Sequence, residues 1–268
     1  MTAAPLAGHN KWSKTKHIKA VVDKKKQNER MSYAKRIAMF SRMYGDDVNS
    51  NAQLAHAVAA ATKASVPKAL VEAAIARGQG RSATGAQLES MTIEILLPPN
   101  MALIADVETD NKSRTLADLK LAAKRCDGVF GSTSFYFSRR GRIVFAPKPD
   151  DGPSLSDMLE EAIELDGADD VEELPDGGYR AWTQPTALMM VTEGLSRKFG
   201  LEVLESDIIW APNADTTVAV DCQQSVESLD SLLSSIREYP EVKAVFANVR
   251  QGAVADDGWA KVMGHIDV

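Results

Sequence analysis

The sequence has few of the residues on which metal centres and catalytic triads depend. Its 268 residues include two cysteines, Cys126 and Cys222, and four scattered histidines. Isolated cysteines lack the paired spacing of a zinc knuckle and are typical of a reducing compartment. No nucleophile motif and no glycine-rich phosphate loop is present. The sequence therefore predicts no metal site, no cofactor and no enzymatic activity.

Long apolar runs are also lacking, although 44% of the residues are hydrophobic. No run approaches the length of a membrane span, so we expect a soluble globular protein without one. The first seven residues show neither a signal peptide nor the arginine-rich pattern of a transit peptide. This predicts either a cytoplasmic protein or one whose leader has been removed.

An excess of positive charge is concentrated in the segment that ends at Arg42. The chain has a net charge of −6, of which this segment contributes +9 and the rest of the chain −15. A basic arm on an acidic body favours nucleic acid as the partner. The alternative is a solvated basic helix face, with Trp12 packed on the protein's own core.

Helical patterning runs through the basic arm, from about residue 15 and again over residues 31–38. Trp12 lies between Lys11 and Lys14, which combines a stacking surface with two charges that attract phosphate. Before the helix, residues 8–13 are expected to form a lead-in that is ordered by itself or by a partner. The predicted nucleic-acid-binding residues of the arm are Lys11, Trp12, Lys14, Lys16, His17, Lys19, Lys24, Lys25, Lys26, Arg30, Lys35 and Arg36.

After two further predicted helices within 49–80, the second ending at a Gly78 cap, the pattern changes to α+β. Residues 142–210 follow the order βαββαβ, which is typical of a ferredoxin-like unit. The predicted fold class is α+β: an all-helical N-terminal domain followed by two ferredoxin-like α/β sandwich domains, one inserted in the other. The predicted boundaries are 1–85, 90–137 with 214–251, 138–213, and a mobile polar tail at 252–268.

Two stretches of the α+β region leave alternatives open. Residues 135–145 read as a strand, a turn at Gly141 and a second strand, with three aromatics beside three arginines. They indicate either an RNA-binding sheet or, by preference, a core edge with a solvated turn. Residues 150–176 hold twelve acidic residues and no basic one. A solvated acidic face is the preferred interpretation, over a magnesium site or a surface that repels RNA.

The start of the chain resembles a known family. Gly8-His9-Asn10-Lys11-Trp12, Lys16-His17, Lys19 and Asp23-Lys24-Lys25-Lys26 are similar to the YebC/PmpR opening (GHSKW, IKHRK, DxKR), with Asn10 in place of serine. Residues 109–115, Thr-Asp-Asn-Lys-Ser-Arg-Thr, are similar to the family's TDNxxRT. The resemblance covers nearly the whole chain to about Arg250, and the family includes the mitochondrial translational activator of cytochrome c oxidase subunit I.

The loop at 109–115 has two interpretations of about equal weight. In the structural one, residues 110–111 hold a bend and Ser113 or Thr115 caps the following helix. In the functional one, Lys112 and Arg114 lie at a helix N-terminus, where phosphate binds readily. Lys112 and Arg114 therefore complete the set of predicted nucleic-acid-binding residues.

The resemblance implies a translation factor that binds the large ribosomal subunit and its rRNA and eases elongation through stretches such as consecutive prolines. Messenger RNA or tRNA are further partners in this prediction, and a monomer is expected. Departures from the bacterial pattern favour the mitochondrial matrix over a bacterial cytoplasm. A DNA-binding transcriptional regulator, the role of other family members, is the alternative. RNA is preferred because the basic residues surround the helix rather than form one base-reading face.

Overall fold

The computed structural model describes residues 11–147 and 152–267, with side chains in the first helix given for Lys26 and from Glu29 onward. The chain forms two compact units, Met1–Gln79 and Gly80–Val268. Within the described residues, no helix combines the length and the apolar character that crossing a membrane requires.

The first unit contains three helices: α1 (Lys11–Tyr44), α2 (Ala52–Lys63) and α3 (Lys68–Gly78). The two helical stretches predicted for the basic arm are one continuous helix of 34 residues, about 51 Å long, and it includes part of the expected lead-in. Ile37, Leu54 and Ala61 are fully buried in the core that the three helices share.

Close contacts fix α1 against the other two helices. The Asn51 amide donates to the carbonyl oxygens of Phe40 (3.0 Å) and Gly45 (2.8 Å), while its Oδ1 caps α2. Gly78 lies inside α3 rather than capping it, which corrects the prediction. A Cβ at Gly78 would lie 2.5 Å from the carbonyl oxygen of Ala38, so glycine is required by helix contact.

The second unit is α+β throughout. Its elements in chain order are β1 (Glu89–Leu97), β2 (Met101–Thr109), α4 (Lys112–Arg125), β3 (Val129–Phe130), β4 (Phe137–Phe145), α5 (Leu155–Ile163), β5 (Ala168–Glu173), β6 (Tyr179–Thr183), α6 (Leu188–Phe199), β7 (Val203–Pro212), β8 (Val218–Val220), α7 (Gln223–Arg237), β9 (Val242–Ala247), β10 (Val249–Gln251) and α8 (Asp256–Met263).

One antiparallel sheet has the order β3-β1-β2-β9. Three of its strands precede β4 in the chain, and the fourth, β9, follows β7. Alternate residues of β1 and β2, among them Ile95 and Leu103, are buried against Leu119 of α4 and Leu229 of α7. This alternation follows from the two-residue period of a strand and leaves the other face of the sheet free of these helices.

The second sheet has the order β5-β6-β4-β7, and all its neighbouring strands are antiparallel. Its chain order, β4-α5-β5-β6-α6-β7, is the predicted βαββαβ unit, with the first and third strands at the centre of the sheet. The predicted fold class is thereby confirmed.

The predicted turn at Gly141 is wrong, because β4 runs unbroken through this residue. Gly141 pairs with Thr183 on β6 and Ile208 on β7. A Cβ here would lie 2.1 Å from Thr183 Oγ1 and 3.1 Å from Leu188. Glycine therefore marks a close approach between the sheet and the start of α6.

A small apolar group, which we call the junction cluster, joins the two sheets. It consists of Ala102, Ile104 and Phe246 from the first sheet with Phe137 and Ile209 from the second. The chain passes from the first sheet to the second near Tyr136 and returns near Asn213. Hydrogen bonds join these two segments beside the cluster. The Asn213 backbone N–H donates to the Tyr136 carbonyl (2.9 Å), and the Asn213 amide donates to the Phe135 carbonyl (3.1 Å).

The last residues are folded rather than a mobile polar tail, which corrects the prediction. Strand β10 pairs in parallel with β8, and α8 follows it. Val262 on α8 is fully buried in the first sheet's core. The Asp267 carboxylate accepts from the Val245 backbone N–H (2.9 Å) and pairs with Arg237.

Candidate nucleic-acid interface

All twelve residues predicted in the basic arm lie on α1. Residues 8–10 of the expected lead-in are outside the described part, and so are the side chains of Lys11 to Lys25. Lys26 and Arg30 are exposed, and Met31 is 50% exposed. From Ile37 to Ser41 the helix is largely buried. The described part of α1 therefore changes from exposed to packed within about two turns.

The lengths of the three helices explain this change. Helices α2 and α3 have 12 and 11 residues, so each spans only about 18 Å against about 51 Å for α1. Their contacts with α1 involve its C-terminal part, since Gly78 abuts Ala38 and Ser41. The N-terminal half of α1, residues 11–27, precedes these contact positions in the helix. Most of the predicted basic residues belong to this length of helix.

Lys112 and Arg114, the other predicted contacts, begin α4 in the second unit. Both are ion-paired: Lys112 Nζ lies 2.7 Å from Glu89 Oε2, and Arg114 Nη2 lies 2.9 Å from Asp110 Oδ1 and 3.3 Å from Glu241 Oε1. The Arg114 side chain is 51% exposed, so water screens these pairs. The side chains of Lys112 and Arg114 are therefore both accessible at the N-terminus of α4.

The helix cap in this loop is Asn111 rather than Ser113 or Thr115. Its Oδ1 accepts from the Arg114 backbone N–H at 3.0 Å. Thr115 instead shares a buried hydrogen bond of 2.8 Å with the Thr109 hydroxyl. The hydrogen bonds of Asn111, Thr109 and Thr115 give the loop a defined structural role. The ion pairs of Arg114 make a weaker structural contribution.

The acidic stretch makes local contacts over its described residues, 152–176. Asp157 forms a capping box with Ser154 at the start of α5, and the Ser154 hydroxyl lowers the pKa of its carboxyl group. Glu161 pairs with Lys198 at 3.1 Å, and Glu172 with Arg180 at 3.2 Å. Within the described residues, no three His, Cys, Asp or Glu side chains are grouped as a metal site would require.

Two arginine–tryptophan stacks were not predicted. The guanidinium of Arg139 lies 4.7 Å from the ring centroid of Trp210, and that of Arg140 lies 4.7 Å from the ring centroid of Trp182. The sequence singled out the arginines but not the tryptophans, which lie on strands much further along the chain. Only the strand register, which places Arg139 opposite Trp210, reveals the pairing.

The fold and the charge distribution define a class of proteins in which a basic helical unit precedes an α+β unit with two joined four-stranded sheets. Residues 10–81 match the family description "TACO1/YebC protein N-terminal domain", and residues 88–249 match "TACO1/YebC second and third domain". The chain belongs to the TACO1/YebC family.

Its relatives include bacterial proteins named "probable transcriptional regulatory protein". One from Synechococcus sp. is 35% identical over 247 residues, which cover 91% of this chain and 96% of the relative. One from Bifidobacterium animalis is 32% identical and covers 91% and 94% of the two chains. The crystal structure of a conserved hypothetical protein from Aquifex aeolicus is similar, with a TM-score of 0.61 and 28% identity over 84% of this chain and 91% of that one.

Proposed function

We propose that the protein is a translation factor that binds rRNA of the large ribosomal subunit through α1 and supports elongation through difficult stretches such as consecutive prolines. The observation that carries the proposal is the concentration of positive charge on one 34-residue helix, which is exposed at Lys26 and Arg30 and largely buried from Ile37 to Ser41. The acidic remainder of the chain repels phosphate and directs nucleic acid to this helix.

The chemistry of α1 suits a phosphate-rich groove or loop. Each lysine or arginine that neutralises a phosphate releases condensed counterions and so adds to the affinity. An indole ring at Trp12 provides a stacking surface for an unpaired base, of which folded rRNA has many. Messenger RNA and tRNA present the same phosphates and bases, so they are secondary partners in this proposal.

A second candidate is a DNA-binding transcriptional regulator, which is favoured by the names of the bacterial relatives. Base reading in the major groove requires a helix face with directed polar side chains. The basic residues of α1 are instead spread around the helix in sequence, which supports RNA over duplex DNA. The relatives compared are bacterial, and this supports a bacterial cytoplasm over the mitochondrial matrix that the sequence favoured. A monomer and the lack of enzymatic activity remain predictions.

The test is co-sedimentation of the protein with purified ribosomes, before and after nuclease treatment. The deletion should remove residues 2–30 and keep Ile37 to Ser41, because those residues belong to the core of the helical unit. We expect the shortened protein to remain folded and to stay in the supernatant. Equal sedimentation of the shortened and the full-length protein would remove α1 as the anchor. Competition by duplex DNA at equal phosphate concentration would favour the regulator.

A further inference from the structure

Phe135 is an aromatic residue held in an exposed position by a rigid segment. Its side chain is 62% exposed, and its ring centroid lies 4.0 Å from that of Tyr136. The segment forms a 3₁₀ turn, and Asn213 and Thr216 on the returning chain donate to its carbonyl oxygens. These hydrogen bonds hold the backbone of Phe135 and Tyr136, while the Phe135 ring is exposed to solvent.

Arg139 is exposed four residues further along the chain, on the strand that follows this turn. Its guanidinium stacks on Trp210, and no carboxylate among the described residues pairs with it. Asp106, which contacts the same indole, accepts hydrogen bonds from Trp210 Nε1 at 3.2 Å and from the Thr92 hydroxyl at 3.1 Å. Stacking on the indole orients the planar guanidinium and leaves its N–H donors available to a ligand.

The junction cluster connects these two exposed groups. Tyr136, which supports Phe135, and Trp210, which supports Arg139, both pack against this cluster. The stacking ring and the unpaired cation are therefore carried by one apolar support at the boundary between the two sheets. An aromatic face beside an available guanidinium is the combination by which proteins bind a base and a neighbouring phosphate of a single strand.

We propose that Phe135 and Arg139 form a second nucleic-acid contact, specific for single-stranded RNA, in which Phe135 stacks on a base and Arg139 binds a phosphate. This inference rests on the proposed function, because it assumes that the protein binds RNA. It adds a contact on the acidic α+β unit, where overall charge attracts no polyanion. The surface therefore selects an unpaired strand of an RNA that α1 already binds.

Arg140 offers a comparison within the same strand. It stacks on Trp182 at the same distance of 4.7 Å, but Asp169 Oδ2 lies 3.4 Å from its Nη2. Trp182 also packs against the junction cluster, so the two arginines share this support and differ in the carboxylate that pairs with Arg140. A stacked arginine that is already paired with a carboxylate should contribute little to the binding of RNA.

The experiment measures binding of the full-length protein to an oligouridylate of about 12 nucleotides at several salt concentrations. Phe135→Ala should weaken binding roughly 5- to 140-fold, the range for one stacked base, without changing the salt dependence. Arg139→Gln should reduce the slope of log affinity against log salt by about 0.7. Arg139→Lys should keep that slope and still weaken binding, because a lysine lacks the planar stack.

Two control variants and a melting curve separate binding from folding. Arg140→Gln and Arg125→Gln, the latter an exposed arginine on α4, should leave both affinity and slope near the wild-type values. Unchanged melting temperatures should accompany every variant. If Phe135→Ala and Arg139→Gln bind like the wild type while deletion of residues 2–30 abolishes binding, this inference is overturned and the proposed function stands. If the wild-type protein itself binds no RNA, the proposed function fails and the inference with it.

Discussion

The two units of the molecule use charged side chains in opposite ways. In the α+β unit, several cations are paired with nearby carboxylates: Lys112 with Glu89, and the almost fully buried Arg142 with Glu205 at 2.9 Å. On α1, Lys26 and Arg30 are exposed, and only Asp23 and Glu29 supply negative charge before Arg42. Paired charges stabilise or orient a fold, whereas accumulated charges of one sign attract a partner.

The two ends of α1 differ in the same way. Its C-terminal part belongs to a core, with Ile37 fully buried, while Met31, earlier on the same helix, is half exposed. The same helix therefore serves as a packing element at one end and as a binding surface at the other. Substitutions at the two ends should have separable effects on folding and on binding.

The largest effect is expected from Ile37→Ala. It removes a buried side chain from the three-helix core and should lower the free energy of unfolding of the helical unit by about 2–5 kcal/mol. Met31→Ala is the matched control on the same helix and should change it by less than about 0.5 kcal/mol. Urea unfolding followed by circular dichroism measures both. Equal losses would show that the two ends of α1 are equally packed.

The next effect concerns Lys24, Lys25 and Lys26. If all three contact phosphates, replacing them with Ala should flatten the slope of log affinity against log salt by about 2 to 3. At about 0.1 M salt, this change in slope corresponds to an affinity for an rRNA fragment that is roughly 100- to 500-fold lower than that of the wild type. The charge-matched control is Lys120, Lys124 and Arg125 on α4, changed together to Ala. An equal loss in both triple variants would mean that only total charge matters.

A smaller effect is expected from Trp12→Ala. Loss of one base stacked on the indole should cost roughly 1–3 kcal/mol of binding free energy to the same rRNA fragment. The salt slope should stay at its wild-type value, because no charge is removed. Titration at three salt concentrations separates the two quantities. If Trp12→Ala binds with wild-type affinity, the Trp12 ring has a structural role and does not stack on a base.

The smallest effect on folding is expected at Arg114. Its pairs with Asp110 and Glu241 are half exposed, so Arg114→Ala should lower the free energy of unfolding by less than about 1 kcal/mol. We expect ribosome binding to fall more than stability does. Arg197→Ala, which breaks another exposed i,i+4 pair on α6, should leave binding unchanged. A large loss of stability with normal ribosome binding would make the 109–115 loop purely structural.

Periodicity alone predicted the fold class and most elements. The strands of the inserted domain, such as β6 at Tyr179–Thr183, alternate buried and less buried residues because one face meets two helices and the other does not. Charge alone located the candidate interface on α1. These signals are local, so a single sequence contains them in full.

The errors arose where distant parts of the chain meet. Gly78 and Gly141 were predicted as a cap and a turn, because isolated glycines usually break local structure. In the folded chain they allow contact with Ala38 and with Thr183, which belong to other helices and strands. The folded C-terminal residues were missed for the same reason, since Val262 and Asp267 are placed by packing on α7 and β9 rather than by their own pattern.

The split composition of the first sheet determines the order in which this protein can fold during synthesis. Strand β2 must wait for β9, which follows the whole inserted unit, and Asp267 completes the contact with Val245 only later. The inserted βαββαβ unit, by contrast, is contiguous and can fold while the chain is still being made. Until β9 has been synthesised, the edge of β2 that pairs with it stays open, and an open strand edge is a site for unwanted pairing.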